Sequence, residues 1–154
     1  MNADTATKIK ALVMRDVLPG YYDFKTTEFA PYHTDIRFDV IGIQRAKRTS
    51  RIVEVKSCRA DFLADSKWEK YLPFATHFYF AAPAGVIKPE ELPATVGLVE
   101  IEQFANGHEA MRYTKFCKKL PPLSELNYIK LIEGAFVRLR WELNASQERE
   151  GGAT

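Results

Sequence analysis

Two cysteines and three histidines in 154 residues leave little material for a soft-metal cage or a disulfide framework. Cys58 and Cys117 lie far apart and match no zinc or redox spacing, so they read as two thiols in a reducing compartment. The expected location is the cytoplasm. His33, His77 and His108 are dispersed, which excludes a histidine-built metal cluster. No run approaches about 18 apolar residues, so no membrane span is expected. The N-terminal stretch MNADTATKIKALVM carries polar and acidic residues where a signal peptide would be apolar. Net charge is only +2, which excludes a histone-like polycation but leaves room for a local basic surface. A Ser-His-Asp arrangement, a P-loop, a dinucleotide fingerprint and internal repeats are all missing.

What is present suits one folded domain. Hydrophobic content is 46% and charged content 27%, ordinary for a globular chain of this length. The expected domain runs over 1–145, with 146–154 a polar, glycine-containing, flexible tail. Asp4 or Thr5 can cap a first helix that places Ile9, Leu12, Val13 and Val17 on one face, and Pro19-Gly20 stops it. Strands are expected over 22–29, 36–43 and 51–57. A helix over 59–72 carries Phe62, Leu63, Trp68, Tyr71 and Leu72, and Pro73 marks its end. Residues 77–82 read as a buried strand. Strand, helix, strand in that order makes a right-handed crossover between parallel strands. Residues 96–103 and 111–116 flank Asn106-Gly107, a hairpin turn signal. Ser124 caps a last helix with Leu126, Ile129, Ile132, Phe136, Leu139 and Leu143 on one side.

Chemistry concentrates in RFDVIGIQRAKRTSRIVEVKS. Side chains alternate along a strand, so Glu54 and Lys56 share a face, about 6–7 Å apart. In a hairpin with 36–43, Asp39 lies across from Glu54. Two carboxylates and an ammonium on one patch can hold a hard divalent cation and a phosphate together. A bare Glu-x-Lys ordinarily marks a solvated face with a cross-strand ion pair. Here Phe38, Val40, Ile52, Val53 and Val55 read as buried on both faces, and charges on a central strand need a reason. The connection between the strands carries Arg45, Lys47 and Arg48; an ordinary solvated loop is its default reading, and phosphate contact the alternative. Asp61 suits the first turn of the crossover helix. Trp68 reads as core rather than as a base-stacking platform.

The longer string Glu54-Val55-Lys56-Ser57, Arg59-Ala60-Asp61-Phe62, Asp65, Lys67-Trp68 and Tyr71, followed by Phe78-Tyr79-Phe80, is similar to the MmcB-like DNA-repair family and its phage-borne relatives. Thr27-Glu28-Phe29 upstream, and Pro93 with Gly97-Leu98 downstream, resemble the same pattern. The element order and the acid plus Glu-x-Lys set look like the wider PD-(D/E)XK nuclease superfamily. That resemblance implies an α/β fold: a restriction-endonuclease-like mixed sheet with an α-β-β-β-α-β core, to which a C-terminal hairpin and helix are added. It implies Asp39, Glu54 and the Val55 carbonyl as ligands of Mg²⁺ or Mn²⁺, with Lys56 orienting water or offsetting phosphate charge. Glu28 is a further ligand or water positioner by the same token, or a plain surface glutamate. Arg45, Lys47, Arg48 and Lys67 are the expected nucleic-acid contacts, although Lys67 can instead pair with Asp65 or Tyr71. The implied partner is double-stranded or branched DNA. A homodimer is allowed, since many nucleases of this fold cut two strands as dimers. The competing expectation is a non-catalytic nucleic-acid-binding or adaptor protein on the same fold.

Overall fold

Central strands buried on both faces build this molecule around one six-stranded mixed sheet. The computed structural model describes residues 3–152. Helix α1 (Ala3–Asp16) is followed by β1 (Phe24–Phe29), β2 (Phe38–Gln44) and β3 (Thr49–Val55). Helix α2 (Arg59–Ala64) and a 3-10 helix (Trp68–Phe74) lead into β4 (His77–Pro83). Strands β5 (Val96–Gln103) and β6 (Glu109–Lys115) and helix α3 (Glu125–Gly151) complete the chain. The strands stand in sequence order across the sheet. The β1–β2 and β2–β3 pairs are antiparallel, β3–β4 and β4–β5 parallel, and β5–β6 antiparallel. The expected hairpin and the expected parallel crossover are therefore both present.

Each sheet face has its own core. Helix α1 covers one face, where Ile9, Val13, Val17 and Leu18 meet Val40, Val53 and Val99. The other face packs Ile41, Ile43, Ile52, Phe78, Phe80 and Leu98 against the 3-10 helix and α3. Central strands are thus apolar on both sides, as a sheet covered on both faces requires.

Two expectations fail, one for a local reason and one for a long-range one. The single helix over 59–72 is two short helices. Asp65 is extended (ψ 112°), and its Oδ1 accepts the backbone N–H groups of Lys67 at 2.7 Å and Trp68 at 3.3 Å. Aspartate competes with helix continuation in this way, ending one helix and starting the next. The last helix differs in both length and orientation. It runs on to Gly151, through most of the stretch expected as a flexible tail; residues 153 and 154 lie outside the described chain. It buries Leu131, Gly134 and Ala135, not the bulky stripe. Gly134 decides this: a Cβ there would stand 2.8 Å from both the Ala30 carbonyl oxygen and the Phe29 ring. Only glycine admits that approach to the end of β1. Of the expected stripe Ile132 packs against the core, whereas Leu126, Ile129, Phe136, Leu139 and Leu143 face outward.

Candidate active site

The β2–β3 register pairs Val40 with Val53, so the next residues out, Asp39 and Glu54, stand across from each other. Lys56 follows two residues later, and its backbone N–H is tied to the Ala81 carbonyl of β4 at 2.9 Å. All three line one cleft of about 400 Å³, together with Val55, Asp61, Asp65, Lys67 and Tyr71. Glu54 is 8% exposed and Lys56 7%, so both charges sit almost wholly out of water.

The cleft is electrostatically incomplete. Asp39 Oδ2 accepts the Val55 N–H at 2.8 Å, yet burial still pushes the Asp39 carboxyl above its ordinary range. Burial first, and the neighbouring Asp39 second, push Glu54 up to about 8. Glu54 Oε2 is buried with no hydrogen-bond partner. Lys56 offsets only part of this, because its ammonium lies 3.5 Å from Glu54 Oε1 and 2.5 Å from Asp65 Oδ2. Burial works against the Asp65 carboxylate too, but Lys56 and the N–H groups of Lys67 and Trp68 outweigh it and hold the group below its usual range. Tyr71 is driven up to about 12 by burial, then by Glu54, and so remains a neutral phenol. An unpartnered buried carboxylate oxygen beside a second carboxylate is where a hard cation relieves the most free energy.

Glu28 stands apart from the cleft lining: it opens on a hollow against α3, with Ala30, Gly134 and Arg138, and reaches Asp39 through its charge. It takes a left-handed backbone, φ 52°, uncommon for a residue with a side chain. Arg138 of α3 donates to the carbonyls of Thr27 at 2.8 Å and Glu28 at 2.5 Å, fixing that turn. The Glu28 side chain is gripped by Lys10 of α1 and by Arg37. Burial would raise its carboxyl, but the two cations hold it below the usual glutamate range.

The expected basic contacts divide. Lys67 lines the cleft. Arg45, Lys47 and Arg48 occupy the turn at the far end of the same hairpin, six residues from Asp39 and so about 20 Å away. Arg45 faces Asp23 at 3.6 Å, while Arg48 faces Glu125 at 3.9 Å and lies 5.0 Å over the Tyr128 ring. Asp61 accepts the Ser57 hydroxyl at 2.6 Å in the first turn of α2. Trp68 packs into the core against Phe78 and Phe80. Sequence reasoning left Asp65 without its real partner, Lys56, and passed over Lys10 and Arg37. Lys10 carries no local signal, since only the packing of α1 brings it to β1.

With this geometry in view, the comparison with known families is informative. The MmcB-like family, described as DNA repair protein MmcB-like, matches residues 3–124. The chain belongs to the MmcB-like family. The match contains every cleft residue of this MmcB-like chain and stops just short of α3, and the family's description points to a DNA-related function. A solved structure described as SPO1766 protein of unknown function, from Silicibacter pomeroyi, is similar over 98% of this chain and 97% of its own. The TM-score is 0.74 and the identity 24%, a likeness of fold. No curated protein sequence matches the chain.

Proposed function

We propose that this MmcB-like protein is a metal-dependent nuclease of the PD-(D/E)XK kind that hydrolyses phosphodiester bonds in DNA. The carrying observation is the buried pair Asp39–Glu54, with its orphaned Glu54 oxygen, opening onto the same cleft as Lys56. The donor set fits Mg²⁺ or Mn²⁺: two hard carboxylates, with the Val55 carbonyl as third ligand and water for the rest. When bound, such a cation polarises a phosphodiester and acidifies water. The protein's residues supply everything else. Glu54, protonated at neutral pH while it stands alone, gives up that proton as ligand. Hydrolysis joins a water oxygen to phosphorus and breaks one phosphorus–sugar-oxygen bond. Lys56, steadied by Asp65, orients that water and offsets charge on the phosphate. Lys67 at the cleft supports the neighbouring phosphate, and Glu28 acts on the cleft through its charge near Asp39.

Two observations favour a non-catalytic DNA-binding adaptor instead. Lys56 is occupied by Asp65 at 2.5 Å, and among the described residues no three His, Cys, Asp or Glu groups gather to hold a metal. Titrating Mg²⁺ or Mn²⁺ against plasmid, branched and single-stranded DNA separates the two. A nuclease cuts at least one substrate and loses cutting on Glu54→Gln. Binding without cutting of any substrate, in either metal, assigns the protein as an adaptor.

A further inference from the structure

Helix α3 has a second face that its own domain leaves bare. Ile129, Phe136, Leu139 and Leu143 are 44%, 67%, 48% and 61% exposed. With the half-buried Ile132 they repeat at intervals of three, four, three and four residues. That is the spacing of a coiled-coil seam. From Leu139 to Gly151 no residue of the helix is buried. A helical segment of that length is marginal in water without tertiary contacts. Scattered exposed apolar residues are ordinary, but a continuous stripe along one helix marks an interface.

We infer that this stripe is a dimer seam, and that its occupant is α3 of a second copy running antiparallel. Charge selects this partner. In the seam's register Glu133 and Arg140 hold the equivalent flanking position, one heptad apart. Antiparallel pairing sets Phe136 against Leu139, and Ile132 against Leu143, of the other copy. It then brings Glu133 beside Arg140 of the second copy, twice by symmetry. Both are exposed, and among the described residues neither has an ion-pair partner in its own chain. Parallel pairing would match neither charge. The dyad falls between Val137 and Arg138, at the middle of a helix that runs from Glu125 to Gly151. Each bare C-terminal half therefore lies along the domain-bound half of its partner, covering Ile129 and Ile132. The docked face, Leu131, Gly134 and Ala135, points roughly a third of a turn away, so the two domains do not compete for the seam.

Sedimentation of the full chain from about 1 to about 100 μM tests the proposal, since a two-heptad seam with two ion pairs supports micromolar association. A dimer is expected at the upper end. Phe136→Glu should give a monomer throughout, with the circular dichroism and thermal midpoint of the wild-type monomer at about 1 μM, because Phe136 makes no core contact. Glu133→Arg should weaken association about 10-fold, and the double variant Glu133→Arg, Arg140→Glu should restore it. A wild-type monomer at about 100 μM overturns the dimer, as does a dimer that survives Phe136→Glu. A double variant that fails to recover overturns the antiparallel seam. Wild-type monomer that binds mixed phosphatidylcholine–phosphatidylserine vesicles through Phe136 would reassign the stripe to a lipid surface and overturn the proposal.

Discussion

The two ends of the β2–β3 hairpin carry similar numbers of charges and treat them in opposite ways. At the Asp39–Glu54 end the charges are buried, crowded with their own sign and left partly unsatisfied. At the Gln44–Thr49 turn Arg45, Lys47 and Arg48 are exposed, and two of the three face a surface acid. Exposed pairs of that kind contribute little to stability, and their presence needs no functional reason. Buried like charges oppose folding, and a chain keeps them where chemistry requires them. The difference teaches where to look: strain against stability, more than charge density, separates the two ends.

The largest expected effect tests the buried end directly. Glu54→Gln keeps the shape but removes the charge of a proposed ligand, and Lys56→Ala leaves the proposed ligands but removes the amine. Each should lower cleavage by about 10³-fold or more, the scale of several kcal/mol of lost charge stabilisation. DNA binding should survive in both. Gel assays of cutting and binding at matched Mg²⁺ check this, and retention of cutting by either variant removes that residue from the chemistry.

Next in size is Asp65→Ala. It strips Lys56 of its nearer partner and removes the acceptor that starts the 3-10 helix. Breaking a buried pair leaves an uncompensated charge, so a loss on the order of 3 kcal/mol is expected from denaturant unfolding. A loss under about 0.5 kcal/mol would mean that Lys56 swings to water at little cost.

Smaller, and opposite in sign, is the effect of Glu54→Gln on stability without divalent cations. The Glu54 carboxyl lies at about 8 in the folded chain, against an ordinary 4.5. A group raised on folding contributes stability that is complete below about 4.5 and lost as pH rises through about 8. In EDTA the wild type should therefore weaken between pH 5 and 9, while Glu54→Gln stays flatter. At pH 9 the variant should be the more stable by an amount on the order of 2 kcal/mol. Mg²⁺ should narrow that gap. Parallel pH profiles for the two proteins would show that Glu54 is not strained.

Much of the buried end was legible in the sequence, for a simple reason. Strand alternation and a hairpin place Asp39 opposite Glu54 and Lys56 on the same face, whatever the details of the turn. What it hid depends on long-range packing. The Lys56–Asp65 pair requires the chain to break after Ala64 and turn back, which the continuous apolar spacing of 59–72 conceals. The Glu28 turn requires Arg138, 110 residues further on. The docked face of α3 is set by the absence of a side chain at Gly134, and periodicity weighted by bulky residues points to the opposite conclusion. The distance of Arg45, Lys47 and Arg48 from the cleft follows from hairpin geometry alone.

The smallest expected effect tests the basic turn. Replacing Arg45, Lys47 and Arg48 together by Ala should change stability by no more than about 0.5 kcal/mol, since the charges are exposed. Three free phosphate contacts would each contribute about 0.9 to the slope of log affinity against log salt. Arg45 and Arg48 already face Asp23 and Glu125, and among the described residues only Lys47 lacks a carboxylate. The triple variant should therefore lower that slope by about 1, not 3, and only on duplexes long enough to reach from the cleft to the turn, about 20 Å along the hairpin. Lys67→Ala, inside the cleft, should lower it by a similar amount on short duplexes as well. Salt titrations by fluorescence anisotropy on short and long duplexes read both. A drop near 3 for the turn variant would place the DNA path across the turn, and the contrast between a working end and a merely solvated end would fail.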